Sequence, residues 1–121
     1  SSLYRTAPVG NTEQPEFINA VAALETTLAP ESLLDALFDI EARFGRIRTK
    51  KNGPRTLDLD LLLYNNQQLN LPRLTLPHPR LHLRAFVLYP LAELAPDLQL
   101  PGRGSIAAWL PAVANQGISR L

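Results

Sequence analysis

Two aspartates separated by one residue, Asp58 and Asp60, sit inside a run otherwise built almost entirely of leucine, TLDLDLLLY at 56–64. On an extended chain alternate side chains share a face, which would put the two carboxylates side by side with Cβ atoms roughly 6.5 to 7 Å apart. Their like charges repel if left alone. A divalent cation, or a pair of them, relieves that repulsion, and Mg²⁺ takes one or two carboxylates with water and substrate phosphate filling the other positions. An ordinary solvated strand face carries the same alternation, so DLD by itself leaves both readings open.

The ten residues that precede it, RIRTKKNGPR at 46–55, bear on that choice. Six of the twelve Lys and Arg of the chain fall within 43–55. Arginine suits two-pronged contacts with phosphate, and a carboxylate pair beside a cationic loop is the equipment of phosphoryl transfer, with metals bridging phosphate oxygens and guanidinium groups stabilising the developing charge. The bland readings of the loop are a solvated charge run or a patch for nucleic acid backbone.

Other chemistries are excluded by composition. The chain has no Cys and only two His, so disulfides, thiolate nucleophiles and Cys- or His-rich metal cages are ruled out, and any metal must be a hard cation on oxygen. Neither GxxxxGK[ST] nor GxGxxG occurs, so phosphates must be held by metals and side chains. His78, framed by Pro77 and Pro79, could donate to a phosphate from a rigid position. Arg84 and Phe86 put a cation and a ring two residues apart. Phe17 and Asn19 do the same for a ring and an amide, and on a strand they would share a face able to stack on and bond a flat heterocycle.

The elements that must position these groups are short. Eleven prolines divide the 121 residues into blocks with no fixed repeat, which predicts a single domain over 1–121. Residues 17–28 read as a strand. Pro30 suits a first helical position, and Leu33, Leu34, Leu37, Ile40, Glu41 and Phe44 recur at helical steps up to Gly45. Residues 46–55 read as a loop, 56–64 as the clearest strand, and 67–71 as its hairpin partner across Asn65 and Asn66. HLRAFVLYPLAEL (82–94) reads as a helix interrupted at Pro90. GSIAAWLPAV (104–113) reads as a further helical turn or two, with Trp109 as a core anchor. The apolar fraction of 45%, charged fraction of 19% and net charge of +1 are those of a globular protein with little electrostatic pull on nucleic acid. No stretch approaches the ~20 apolar residues of a membrane span, and the first residues lack a secretory pattern, so the expectation is a cytoplasmic protein that binds neither membrane nor nucleic acid.

At GPRTLDLDLLLY (53–64), GRIR (45–48), LPHPRLHLRAFVLYPLAELAP (76–96), YRTAPVG (4–10) and FINAVAALET (17–26) the sequence resembles the 6-hydroxymethyl-7,8-dihydropterin pyrophosphokinases of folate biosynthesis. The resemblance runs from the first residue to about residue 100. It implies a ferredoxin-like α+β fold and transfer of pyrophosphate from ATP to the hydroxymethyl oxygen of the pterin, releasing AMP. By matching positions, Asp58 and Asp60 resemble the ligands of two Mg²⁺ ions. Arg46 and Arg55 match loop arginines that engage the triphosphate, with Arg48 in support. His78 and Arg84 match further phosphate contacts, and Glu41, taken to lie on the exposed end of the main helix, and Thr75 match positions near the nucleotide. Phe17 and Phe86 resemble the walls of the pterin pocket, Asn19 the amide that reads its edge, and Thr6 and Val9 positions that line it.

The chain also departs from the family pattern. The family begins with a strand, a Gly-Ser-Asn turn and a helix ahead of the position of Ser1, so the resemblance implies that the first strand of the fold is missing here. A free sheet edge of that kind would invite pairing with a second copy as a homodimer. It also leaves, as an alternative to the enzyme, a folded but catalytically incomplete form that binds nucleotide or pterin without turnover. Asn52 stands where many members have Trp, and Leu83 where a charged residue is common.

Overall fold

A computed structural model describes residues 1–6, 17–44 and 57–121. Three sequence-distant strands, β1 (Tyr4–Thr6), β2 (Phe17–Asn19) and β7 (Ile118–Arg120), form an antiparallel sheet in the order β2-β1-β7. Thr6 pairs with Phe17 and with Ile118, and Tyr4 with Asn19 and Arg120. Residues directly opposite one another share a face, so Tyr4, Thr6, Phe17 and Asn19 look the same way. Two small hairpins, β3 (Leu69–Leu71) with β4 (Leu74–Leu76) and β5 (Gln99–Leu100) with β6 (Gly104–Ser105), complete the strands. The helices among the described residues are α1 (Pro30–Arg43), α2 (Ala85–Leu94) and α3 (Ile106–Val113), with a 3₁₀ turn at Leu81–Leu83. The architecture is α+β, as expected.

The main core forms where α2 packs on α3 and the 3₁₀ turn, burying Leu81, Leu88, Leu100 and Ile106 almost completely. The start of α2 has no side-chain cap of its own. Gln116, beyond α3, supplies one: its Oε1 accepts the Ala85 N–H at 2.9 Å and its Nε2 donates to the Leu83 carbonyl at 2.9 Å. Trp109 anchors the opposite side, as expected. Its ring meets His82 edge-on at 4.9 Å, and its Nε1 donates to the Arg103 carbonyl at 3.0 Å. His82 is buried, its Nδ1 has no hydrogen-bond partner among the described residues, and burial holds the imidazole below its ordinary pKa. A second, smaller core gathers Leu34 of α1 with Leu74 and Leu76 of β4.

Several expectations are corrected. The strand anticipated over 17–28 extends only over Phe17–Asn19, and the alanines that follow leave 20–29 without regular structure. Residues 57–64 form no strand ladder among the described residues. Their burial alternates over 57–60 but not beyond, because Leu62 and Leu63 pack on the main core while Leu61 and Tyr64 pack on the smaller one. The turn at Asn65 is present, with the residue in the left-handed region at φ 51° that asparagine tolerates. The hairpin it was expected to close is instead made by β3 with β4. Pro90 does not interrupt α2, which runs straight through it. The missing backbone donor forgoes one helical bond, and near-complete burial of the ring in the core offsets that loss. The α1 expectation holds from Pro30 onward, but Ile40 and Phe44 are exposed and the buried stripe is Leu33, Leu34 and Glu41. Gly45 lies outside the described residues.

A polar tie fastens the sheet to α2. Glu93 accepts from the Tyr4 hydroxyl, from the Ser2 N–H and hydroxyl at 2.8 Å each, and from Arg120 at 3.2 Å. The Tyr4 hydrogen bond above all, then those of Ser2, hold the Glu93 carboxyl down to about 2. A carboxyl depressed in the folded state adds stability that is fully present above its ordinary value of 4.5 and is lost as pH falls towards about 2. The Tm of the chain should therefore fall across that window, and Glu93→Gln should have a lower Tm at neutral pH with a shallower fall on acidification, as read by thermal melts at stepped pH.

Candidate active site

The segment 57–60 runs past the C-terminal half of α1, and the two meet at a cleft of about 410 Å³. That volume lies within the range of small-molecule sites. Asp58 and Asp60 both line it and are exposed, while Leu57 and Leu59 between and before them turn partly inward. Thr75 reaches the cleft from β4, and His78 from the turn that follows. The backbone holds these groups together: the His78 N–H donates to the Leu62 carbonyl at 2.8 Å, two residues beyond Asp60. His78 Nδ1 accepts the Arg80 N–H at 3.2 Å, which leaves Nε2 as the proton-bearing nitrogen of the neutral ring. Burial lowers the pKa of this ring; Arg84 and Arg80 push the same way, against the opposing pull of Asp60.

Glu41 corrects the sequence reading most sharply. It is 1% exposed, not at an open helix end, and its Oε2 accepts the Leu59 N–H at 2.8 Å. The helical period supplies the signal that could have found this: Leu34, Leu37 and Glu41 fall at i, i+3 and i+7 on one face. Residues that sequence reasoning missed also line the cleft. Leu34, Phe38 and Leu61 form apolar wall, and Arg73, in the turn between β3 and β4, pairs with Asp35 of α1. Both members of that pair are about half exposed, so it contributes little stability.

A second group gathers on the sheet rather than in the cleft. Asn19 Nδ2 donates to Thr6 Oγ1 at 3.3 Å, and the Thr6 hydroxyl reaches the Phe17 carbonyl at 3.5 Å. Thr6 is buried, whereas the Phe17 ring is 54% exposed on the sheet edge. Arg84 lies over the Phe86 ring at 5.4 Å, and Phe86 packs half-buried against the main core. Val9, Arg46, Arg48 and Arg55 lie outside the described residues. Of the expected site residues, then, Glu41, Asp58, Asp60, Thr75 and His78 share one cleft, and Thr6, Phe17 and Asn19 share one strand pair.

Two carboxylates opening on a cleft fit Mg²⁺, which needs no more than that from a protein. No cluster of three or more His, Cys, Asp or Glu suited to a metal occurs among the described residues.

The sequence profile of the 7,8-dihydro-6-hydroxymethylpterin-pyrophosphokinase family matches residues 1–96. The chain belongs to that family. It is similar to the 2-amino-4-hydroxy-6-hydroxymethyldihydropteridine pyrophosphokinase of Pseudomonas aeruginosa, at 55% identity over all of this chain and 75% of the relative. The protein of the same name from Haemophilus influenzae is 46% identical over all of this chain and 76% of its own length. A folic acid synthesis protein of Pneumocystis carinii matches 98% of this chain at 40% identity, over 16% of its own length. The resemblance drawn on GPRTLDLD, PHPR and RAFVL is thus borne out, and as a pyrophosphokinase family member the chain is an enzyme. No helix among the described residues is long and apolar enough to cross a membrane.

An exposed aromatic should be separable from the core by stability alone. Phe17→Ala should leave the free energy of unfolding within about 1 kcal/mol of the parent, whereas Leu88→Ala, at a fully buried site, should cost about 2–5 kcal/mol. Urea unfolding of both variants checks this.

Proposed function

We propose that this chain transfers the pyrophosphoryl group of ATP to 6-hydroxymethyl-7,8-dihydropterin in folate biosynthesis, with the nucleotide phosphates in the cleft at Asp58 and Asp60. The observation that carries the reading is that both aspartates of the DLD run open on one cleft with Thr75 and His78, in a chain matched by the family over residues 1–96. The proposed fold is the ferredoxin-like arrangement, supported by an antiparallel sheet tied to helices. Pairing of two copies along β2 or β7, the outer strands of that sheet, belongs to the same reading.

In this scheme Asp58 and Asp60 hold two Mg²⁺ ions, which when bound neutralise charge on the phosphate oxygens. Neutral His78 donates from Nε2 to a phosphate oxygen, and Thr75 borders the nucleotide. Arg46, Arg48 and Arg55 supply guanidinium donors to the triphosphate, and Arg84 a further one. The pterin stacks against Phe17 and Phe86, with Asn19 bonding its edge and Thr6 and Val9 lining the pocket. The hydroxymethyl oxygen then attacks the β-phosphorus, its bond to phosphorus forms as the bond from that phosphorus to the α–β bridging oxygen breaks, and AMP leaves with that oxygen while the hydroxyl proton passes to water. Asp58 and Asp60 both open on the cleft, which favours turnover over a form that binds without it.

The chain incubated with ATP, Mg²⁺ and the pterin should release AMP. The double variant Asp58→Ala, Asp60→Ala should lose at least about 10³-fold in rate, the equivalent of several kcal/mol of transition-state stabilisation. Absence of AMP from the folded parent chain would overturn the reading.

A further inference from the structure

We propose that Glu41 is a positioning residue for the aspartate pair, acting through the backbone of Leu59 rather than by touching substrate. The inference rests on the proposed function. Leu59 is the residue between Asp58 and Asp60, so whatever fixes its peptide constrains the backbone from which both carboxylates project. A strand would fix it by ladder bonds, but 57–64 has no ladder among the described residues. Near the aspartates the Leu59 N–H donates instead to Glu41 Oε2, at 2.8 Å. Further along the segment the grip is of another kind: the Leu62 carbonyl accepts from His78, and Tyr64 donates its hydroxyl to the Leu28 carbonyl at 2.6 Å.

Three features make Glu41 suited to the task. It projects from α1, a helix of 14 residues whose buried stripe it shares with Leu33 and Leu34, so its backbone is rigid. At 1% exposure its carboxylate gives up water and must be answered by donors. A carboxylate acceptor also makes a stronger bond to an N–H than a peptide carbonyl does. Partners that orient the ligands of a metal from outside its coordination shell are worth 10–100-fold in metal affinity when removed.

The test uses the whole chain with Mn²⁺ in place of Mg²⁺. Glu41→Met fills the same space without an acceptor, and Glu41→Gln keeps an amide oxygen that can accept the Leu59 N–H. Mn²⁺ affinity in the presence of a non-hydrolysable ATP analogue should fall about 10- to 100-fold in Glu41→Met and be restored to within a few-fold in Glu41→Gln. Nucleotide binding in EDTA should be no weaker than the parent's in either variant, since both remove the same negative charge from the cleft wall. The Leu59 amide proton, observed by NMR without metal or nucleotide, should move upfield in Glu41→Met alone. Two results would overturn the inference: Mn²⁺ affinity equal to the parent in Glu41→Met, or an equal loss of EDTA-resistant nucleotide binding in both variants, which would make Glu41 a direct nucleotide contact. A parent chain that binds Mn²⁺ and the analogue yet releases no AMP would defeat the functional reading alone and leave the Glu41 arms intact.

Discussion

A segment that offers two carboxylates to a cleft cannot be held by burying those side chains, so it has to be gripped by its backbone and by the residues between. That constraint organises the part of the molecule where the chemistry lies. Leu57 and Leu59 turn partly inward, Leu62 and Leu63 enter the main core, and Leu61 and Tyr64 enter the smaller one. Bonds to the backbone of the segment include those made by the buried Glu41 at Leu59, by His78 at Leu62 and by Gln67 at Tyr64. Apolar packing at one end and a charged acceptor at the other hold the segment where no strand ladder forms among the described residues.

The remainder of the fold supports this segment from a distance. α2 and α3 bury each other and leave the 3₁₀ turn between His78 and α2 firmly packed, with Leu81 fully covered. The sheet carries the second group of residues, and it is connected to α2 by the Glu93 cluster, in which one carboxylate answers four donors from Ser2, Tyr4 and Arg120. Thr6, directly beside Tyr4 and Arg5 on β1, inherits its placement from that tie. The two groups of site residues therefore belong to different cores, one to α1 with β4 and one to the sheet with α2.

Sequence reasoning read the chemistry better than the local structure. DLD in a leucine run pointed to paired carboxylates on an extended chain whatever paired with it, because side-chain alternation needs only extension and not a ladder. The start of α1 followed from Pro30, since a first-turn proline is a local signal. The failures were of long-range origin. Nothing local says that 57–64 is covered on two sides, that β3 turns to β4, or that Gln116 would cap α2 from 31 residues away. Pro90 was read by its intrinsic cost, and burial overrode it. Glu41 falls on the helical period with Leu34 and Leu37, but the resemblance places it on an exposed helix end, and only the packing of α1 against 57–60 shows it buried.

The charge of the cleft explains why nucleotide and cation must be linked in the proposed reaction. Among the described residues that line it, Glu41, Asp58 and Asp60 are acidic, and Arg73 is the Lys or Arg side chain present, already paired with Asp35. Burial holds His78 towards its neutral form. In the proposed reaction the carboxylates of these walls would set like charge against a triphosphate, and the guanidinium donors proposed for Arg46, Arg48, Arg55 and Arg84 would oppose it. Divalent cations held by Asp58 and Asp60 in the proposed reaction would lessen that repulsion, and cation and nucleotide would then each raise the affinity for the other by the same factor, as linkage requires.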